Sequence, residues 1–431
     1  MKNNLPTYLF ILLATVLALP WLLQLFGLSG NYLGGHVERA AQPLWSWDNW
    51  ISGDYQSKEE KYLSERYGLR TDMIHIHNQY RFSFFRKTNT RSVIIGKEDY
   101  LFEDGYIQAY IGSDNFDDEG VKMKVKRLED VNKKLLEMGK KVVVVRAAGK
   151  ASYFPEYIPD HYFPKKKKNI IDSYRKALSK SNLFYVDFND WFLEMKDTSS
   201  YPLFPKTGIH WSEYGAALAM DSLINYLEKI EGVDLPDLTW RDLKISPKPL
   251  KTDKDIERSM NLIFPIEKGP YAYPEIVFDT INKDQIKVLV VGDSYYLQMY
   301  DAGLSKKVFN ESRFLFYGRL VYPEKKELGE YGLLNLVADH DIILFICTES
   351  NLQHFPWGVH SRLYEELCKE EIEIFIQEHL NEIIEMEDKI RADKAWYDLI
   401  VKQAENQKTS IEEELRRDAL YMVEASYLEK D

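Results

Sequence analysis

The chain has 431 residues, 45% of them hydrophobic and 29% charged, which is the composition of a globular protein rather than of a disordered or fibrous one. Its net charge of −12 argues against a basic phosphate-binding surface, so nucleic acid is not expected as a partner. The two cysteines, Cys347 and Cys368, indicate neither a disulfide framework nor a cysteine-based zinc site. No P-loop, dinucleotide-binding or zinc-protease motif occurs, so no metal or cofactor is expected.

The first element is an uncharged apolar segment of 21 residues at positions 8–28. A helix of this length crosses a hydrocarbon core of about 30 Å. Lys2 precedes the segment and Glu38 is the first charged residue after it, so the positive-inside rule places the rest of the chain outside the cytoplasm. A cleaved signal peptide is the alternative, but the segment is long for one and no A-x-A site follows. We predict an uncleaved single-pass anchor, residues 1–30, in the inner (cytoplasmic) membrane with the main domain periplasmic or otherwise extracytoplasmic.

Residues 31–90 follow as a predicted juxtamembrane linker and packing segment. Glycine, tryptophan and proline are frequent up to residue 50, and aromatic and aliphatic residues then alternate with charged ones. This second pattern indicates short helices that pack against a larger body.

Residues 91–355 alternate between strand-like and helix-like patterns. VIIGKEDYLF indicates a hairpin, and apolar residues at steps of three and four from 121 to 138 indicate an amphipathic helix. Further strands are predicted at KVVVVRAAGK, 183–188, 286–294, 314–317 and 341–350, with helices around 165–180, 213–230 and 325–338. This alternation predicts an α/β sandwich around a mostly parallel sheet.

The pattern changes again at the C-terminal end, where residues 356–431 are charged and helix-forming. Ser410 and Glu413 form a capping box at the start of the last helix. We predict a helical appendage whose apolar stripe is a packing face.

One predicted strand ends in Gly292-Asp293-Ser294. A serine at the tip of a buried strand, directly before a helix, exposes its hydroxyl where backbone N–H groups can bind an oxyanion. Such a serine can act as a nucleophile. The alternative is an ordinary strand-to-helix turn, because Gly, Asp and Ser are common turn residues.

A second motif, TGIHWS at residues 207–212, lies just ahead of a predicted helix. A histidine on such a loop can deprotonate a serine at a neighbouring strand end, so His210 is the candidate general base. A capping or packing histidine is the alternative interpretation.

Together the two motifs resemble the SGNH-hydrolase-like family that contains the alginate O-acetyltransferases and related exopolysaccharide acetylation proteins. The segments SGDYQSKEEKYLSERYGLR, GKEDYLFE and AAGKASYFPEYIP are also similar to that family, and His-Trp-Ser precedes Gly-Asp-Ser in its permuted order. The resemblance covers roughly residues 50–350. It implies a permuted SGNH-like α/β/α sandwich in which Ser294 is the nucleophile and His210 the base.

One position departs from the family pattern. The family usually carries an aspartate two residues before the histidine, and here that residue is Gly208. Loss of the orienting carboxylate costs a serine protease about 10⁴-fold in kcat. Another acid such as Asp187, Asp190 or Glu349 could complete a triad, a Ser-His dyad could suffice, or the site could be degenerate. Asp293 is a weaker choice, because its side chain and that of Ser294 should point apart.

The resemblance implies a membrane-anchored O-acetyltransferase that acts on a cell-surface or exported polysaccharide through a serine acyl-enzyme. A multi-spanning membrane acyltransferase would be the acetyl donor. A carbohydrate esterase of the same fold and an inactive polysaccharide-binding or assembly component are the alternatives. Arg319 and Asn351 follow predicted strands and are candidate substrate-binding residues, with an exposed ion pair or a strand-end cap as the alternative roles.

Overall fold

The computed structural model describes residues 4–26, 33–35, 39–113, 116–165, 167–266, 268–407 and 409–428. Lys2, Glu38 and the last two residues of the predicted apolar segment, Gly27 and Leu28, lie outside the described residues.

Helices and strands alternate along most of the described chain. The helices are α1 (Leu5–Leu25), α2 (Trp47–Ser52), α3 (Asp54–Arg66), α4 (Arg70–Phe85), α5 (Asp104–Ile111), α6 (Asp118–Glu137), α7 (Lys150–Tyr153), α8 (Ile170–Lys180), α9 (Phe188–Glu194), α10 (Glu213–Glu231), α11 (Asp255–Met260), α12 (Ser294–Asp301), α13 (Leu304–Lys307), α14 (Leu333–Ala338), α15 (Val359–Leu367), α16 (Lys369–Glu378), α17 (Leu380–Ala392), α18 (Lys394–Gln407) and α19 (Ile411–Leu428). The strands are β1 (Val93–Ile95), β2 (Leu101–Glu103), β3 (Lys141–Arg146), β4 (Phe184–Asp187), β5 (Asp237–Ser246), β6 (Tyr271–Asp279), β7 (Val288–Gly292), β8 (Arg313–Phe316), β9 (Leu320–Tyr322), β10 (Lys326–Glu327) and β11 (Ile342–Cys347).

The chain divides into two compact units. The first unit comprises Met1–Asp104, Phe204–Ser212 and Ile245–Tyr271, and the second comprises Gly105–Leu203, Glu213–Lys244 and Ala272–Asp431. The predicted domains 1–30, 31–90, 91–355 and 356–431 divide the chain differently and stay predictions.

In the first unit, α1 covers residues 8–25 of the predicted apolar segment. Among the described residues, Leu5–Gln24 is the single helical stretch long and apolar enough to cross a membrane, and none of it is buried. An apolar helix whose side chains are largely exposed suits a lipid environment.

A small apolar core of the first unit joins segments that are far apart in the chain. Phe82 of α4, Leu101 of β2, and Ile256 and Met260 of α11 are buried together. The β1–β2 hairpin is antiparallel, as the sequence predicted, and the Leu101 amide donates to the Lys206 carbonyl at 3.0 Å. Residues 204–212 are therefore fixed beside β2.

The second unit is built on a seven-stranded sheet in the order β10-β9-β8-β7-β11-β3-β4. Strands β8, β7, β11, β3 and β4 pair in parallel, and β9 and β10 extend the sheet in antiparallel fashion. The central strands β7 and β11 are buried at every residue, because helices cover both faces of a parallel sheet. This confirms the predicted α/β fold with a mostly parallel sheet.

Two parts of the second unit differ from the prediction. The helix expected over 325–338 is confined to α14, because β10 and a 3₁₀ turn come first and Gly332, at φ 78°, begins the helix late. The two-stranded sheet of β5 and β6 was not predicted, since β5 is mostly exposed and lacks an apolar alternation.

The C-terminal helices have an apolar cluster of their own. Ile383, Ile390 and Ile400 pack with Leu415 and Ala419. The Ser410 hydroxyl accepts the Glu413 amide hydrogen at 3.1 Å, as the capping box predicts. The predicted stripe of α19 is thus a packing face.

Candidate active site

The first unit contains a paired imidazole and carboxylate. His210 Nδ1 lies 2.8 Å from Asp255 Oδ2, and both side chains are largely buried. A carboxylate at Nδ1 holds the proton on that nitrogen, which leaves Nε2 as the acceptor for a substrate or nucleophile proton. The pair therefore has the arrangement of a general base with its orienting acid.

Backbone amides hold the Asp255 carboxylate in place. Its Oδ1 accepts hydrogen bonds from the Ile209 amide at 2.8 Å and from the Ile256 amide at 2.7 Å. Because Asp255 is the first residue of α11, the local helix geometry brings the backbone amide of Ile256 close to the Asp255 carboxylate. Oδ2 is thereby directed at the imidazole.

Gly208 allows the chain to approach the segment that carries this aspartate. A Cβ atom at position 208 would lie 2.6 Å from the Thr252 carbonyl oxygen, closer than real Cβ contacts. Thr207 adds two hydrogen bonds to the same segment, from its hydroxyl to the Asp253 carbonyl at 3.0 Å and from the Glu257 amide to its carbonyl at 3.1 Å. The space that a side chain at 208 would need is filled by the backbone leading to Asp255.

A second carboxyl group lies near the pair. Burial, and then the charge of Asp255, raise the pKa of the Glu103 carboxyl, and the nearby His210 opposes this increase. When ionised, Glu103 adds negative charge close to the imidazole.

In the second unit, Ser294 begins α12 directly after β7. Asp293 is fully buried, and its carboxylate accepts hydrogen bonds from the amides of Tyr295 (3.0 Å) and Thr348 (2.9 Å) and from Asn351 Nδ2 (3.0 Å). These bonds tie the ends of β7 and β11 together. Asp293 therefore shapes the turn that presents Ser294.

Tyr317 is a neighbour of Ser294 on the adjacent strand end. Its amide donates to the Gly292 carbonyl at 2.8 Å, and its backbone is left-handed at φ 49°. Burial and then the Asp293 charge raise the pKa of the Tyr317 phenol, whereas hydrogen bonds with the Ser294 and Asn351 side chains lower it. The phenol is thus a polar group in contact with the candidate nucleophile.

Part of the chain matches a known protein family. Residues 93–248 match the family model of the SGNH hydrolase-like domain, acetyltransferase AlgX. This match confirms the resemblance and the SGNH-like fold predicted from the sequence. The AlgX-matched span contains His210 and Gly208 but ends before Asp255 and Ser294.

Three solved structures align with about the same share of the chain. The O-acetyltransferase domain of Pseudomonas putida AlgJ is 15% identical, with TM-score 0.42, over 64% of this chain and 99% of that one. Pseudomonas aeruginosa AlgX is 12% identical, with TM-score 0.40, over 63% and 71% of the two chains. Bacillus cereus PatB1 is 13% identical, with TM-score 0.38, over 60% and 96%. No curated protein matches the chain significantly.

The acids weighed from the sequence as partners of His210 have other contacts in the second unit. Asp187 Oδ2 accepts from Arg146 Nη2 at 2.6 Å, and its Oδ1 caps α9. Asp190 pairs with Arg175. The partner of His210 is Asp255 instead, which corrects the sequence-based candidates.

Glu349, the third of these acids, is a buried support for α7. It accepts from the Ala151 amide at 3.0 Å, the Ser152 amide at 3.3 Å and the Ser152 hydroxyl. Burial raises the pKa of the Glu349 carboxyl to about 7, although these hydrogen bonds lower it.

The two candidate substrate residues differ in their surroundings. Arg319 is exposed over 72% of its side chain and lies 3.8 Å from Glu327, the exposed ion pair given as its alternative role. Asn351 lies beside Asp293 and Tyr317, next to the serine. Contact with the Ser294 group thus favours Asn351 over Arg319.

Sequence reasoning missed Asp255 and Tyr317. Asp255 lies in the charged run TDKDIERS, which resembles a solvated surface segment. Gly208 was the signal that could have led to Asp255. Because the aspartate that the family usually carries at this position is absent, a partner for His210 has to come from another segment of the chain. Tyr317 follows the strand beside that of Ser294, the sheet edge where α/β folds bind ligands.

Proposed function

We propose that the protein is an O-acetyltransferase that acts on a polysaccharide through an acyl-enzyme on Ser294. The observation that carries the proposal is the His210–Asp255 pair at 2.8 Å, because it supplies the carboxylate that Gly208 cannot. The match of residues 93–248 to the acetyltransferase AlgX family supports the same activity.

In the first half of the proposed reaction, the Ser294 oxygen attacks the carbonyl carbon of an acetyl donor and its proton passes to His210 Nε2. Asp255 stabilises the imidazolium that results. The tetrahedral intermediate collapses, the leaving group takes the proton from His210, and acetyl-Ser294 remains. The Tyr317 phenol and backbone N–H groups near Ser294 would bind the oxyanion.

In the second half, a sugar hydroxyl attacks the acetyl-serine while His210 accepts its proton. Collapse returns that proton to Ser294 and releases the acetylated sugar. With water as the acceptor, the same steps make the protein a carbohydrate esterase.

The setting of the reaction is also part of the proposal. Helix α1 would anchor the chain in the inner membrane with both units outside the cytoplasm, and a multi-spanning membrane acyltransferase would deliver the acetyl group. The length and apolar character of Leu5–Gln24 support the anchor.

The test uses the full-length chain in detergent with a chromogenic acetyl ester. We expect turnover and an acetyl adduct on the Ser294 peptide by mass spectrometry. Both should disappear in Ser294→Ala and persist in Ser179→Ala, which removes an exposed hydroxyl on α8. Transfer to added oligosaccharide distinguishes a transferase from an esterase.

Wild-type protein that neither turns over the ester nor acquires the adduct would refute the proposal. A polysaccharide-binding or assembly role would then be favoured.

A further inference from the structure

Helix α4 exposes apolar side chains on the face opposite its packed face. Met73, Ile76, Tyr80 and Phe84 recur at steps of three and four and are 52–74% exposed. Thr71 and Phe82, on the other side of the helix, are buried. A surface helix of a soluble protein normally has its apolar stripe inside and polar residues outside. Burial away from water is therefore favourable for both faces of α4.

A loop of the first unit adds to this exposed stripe. Ile263 is 48% and Phe264 67% exposed, and the amides of both donate to Gln79 Oε1 of α4 at 3.0 Å. The side-chain Nδ2 of Asn78 also donates to the Met260 carbonyl at 2.8 Å. These bonds hold the two apolar side chains next to α4. We call Met73, Ile76, Tyr80, Phe84, Ile263 and Phe264 the apolar face.

Contacts between α1 and the turn that joins α3 to α4 place the start of α4 along the anchor. The Tyr67 hydroxyl donates to the Leu17 carbonyl at 3.4 Å, and Gly68 approaches the Pro20 carbonyl. At about 1.5 Å per residue, these carbonyls lie roughly 12 Å and 8 Å before the end of α1 at Leu25. Interfacial helices insert to a similar depth of about 5–10 Å at the headgroup and acyl boundary.

A groove separates α1 from α4. Its volume is about 1230 Å³. Its lining includes the apolar Val16, Leu17 and Leu19 of α1 and also polar side chains of α4 such as Arg70, His77 and Asn78. The side of the groove along α1 is apolar and suits an acyl chain, and the polar side chains of α4 suit the headgroup end of a lipid.

Exposed tryptophans follow the anchor in the chain. Trp45, Trp47 and Trp50 are 46–66% exposed, and the Trp45 and Trp47 rings stack edge to face at 5.0 Å. Tryptophan and tyrosine are enriched where a membrane meets water, because their rings are apolar and their N–H or O–H groups are polar. This segment supports the same interfacial placement.

We propose that the apolar face lies in the outer leaflet of the bilayer that α1 spans, with phospholipid acyl chains filling the groove between α1 and α4. The inference rests on the membrane anchoring within the proposed function. It adds a second membrane contact besides the anchor. Since Phe82 of α4 shares a core with Ile256, next to Asp255, this contact holds the His210–Asp255 pair near the membrane surface.

The test labels the full-length protein in phosphatidylglycerol and phosphatidylethanolamine liposomes with an environment-sensitive fluorophore. Single cysteines are introduced by Ile76→Cys, Phe84→Cys and Phe264→Cys, all at exposed positions. The matched control is Lys58→Cys on the polar helix α3, whose side chain is 62% exposed. Labelling of the unsubstituted chain measures the background from the two buried native cysteines.

We expect blue-shifted emission at 76, 84 and 264, quenching by lipids that carry a shallow nitroxide, and protection from aqueous iodide. The label at 58 should show the reverse. Iodide quenching at 76, 84 and 264 as strong as at 58 overturns the inference. Protection from both quenchers also overturns it and indicates that a second copy of the chain covers the face.

A further label, at Leu12→Cys in α1, reports the anchor separately. Lipid quenching at 12 without quenching at 76, 84 and 264 overturns the inference and leaves the anchor intact. If the label at position 12 is not quenched by lipid, both the membrane anchor and this inference are overturned. Acetylation of Ser294 is measured independently, so failure of the membrane contact is distinguishable from failure of the catalytic proposal.

Discussion

Replacement of Asp255 by asparagine tests the orienting carboxylate. The two backbone hydrogen bonds to this side chain, from Ile209 and Ile256, both go to Oδ1, whereas His210 contacts Oδ2. An asparagine keeps the Oδ1 acceptor and places an NH₂ group where Oδ2 was. The substitution therefore changes the contact with the imidazole and little else.

The expected loss of activity is much larger than the loss of stability. An NH₂ group donates to His210 Nδ1, so the ring proton moves to Nε2 and the base can no longer accept a proton from the nucleophile. The equivalent change in a serine protease lowers kcat about 10⁴-fold, which corresponds to roughly 5 kcal/mol of transition-state stabilisation. One hydrogen bond contributes about 1 kcal/mol to folding.

Two measurements on the same samples separate these effects. Initial rates with the chromogenic acetyl ester, together with single-turnover acetylation of Ser294, give the catalytic loss. A urea unfolding curve gives the stability. Asp54→Asn is the control for a carboxylate-to-amide change, because Asp54 pairs with Lys58 on the surface of α3 in the same unit.

Activity of Asp255→Asn within tenfold of wild type would refute the triad assignment. The double variant Gly208→Asp/Asp255→Asn gives a second check. It restores an acid at the usual family position, but its Cβ would meet the Thr252 carbonyl at 2.6 Å. We expect no rescue and lower stability, and recovery of the rate would show that the backbone around Gly208 does not exclude a side chain.

Further predictions concern the second unit. Because burial raises the folded pKa of Glu349 from 4.5 to about 7, the folded state holds an extra proton within this window and loses stability as the pH rises through it. Glu349→Gln should remove this loss, which is about 3 kcal/mol at ~1.4 kcal/mol per pKa unit. The prediction is contradicted if the variant loses as much unfolding free energy as the wild type between pH 5 and pH 8. Asp187→Ala leaves the buried Arg146 guanidinium with the more distant Asp190 at 3.6 Å and uncaps α9, so it should lower the unfolding free energy by roughly 3 kcal/mol while leaving kcat per folded molecule intact; a lost kcat would return Asp187 to the catalytic candidates. Tyr317→Phe removes a phenol that contacts Ser294 and should lower kcat/KM about tenfold without changing the urea midpoint, and a wild-type rate would remove Tyr317 from the site.

The parts that the sequence predicted are governed by local rules. Buried strands such as β7 and β11 are continuous apolar runs, and α6 has an apolar period of three and four. Gly292-Asp293-Ser294 ends a strand and starts a helix for the same local reason. These features need only neighbouring residues, so the α/β fold and the place of Ser294 follow from the sequence alone.

The exposed stripe of α4 shows one limit of periodicity. Apolar residues at helical spacing predict a helix with a packing face, but spacing does not say whether that face meets protein, water or lipid. Only the positions of α1, α4 and the 263–264 loop within the first unit decide that it points outward.

The sequence by itself determined the sheet, the serine at a strand end and the histidine on its loop, because each depends on hydrogen bonding and hydrophobicity over a few residues. Only the tertiary structure decided which acid meets the imidazole. Asp255 is 45 residues from His210, and their contact depends on the close approach of two loops at Gly208. Such an approach is set by packing between distant segments, which local patterns do not encode.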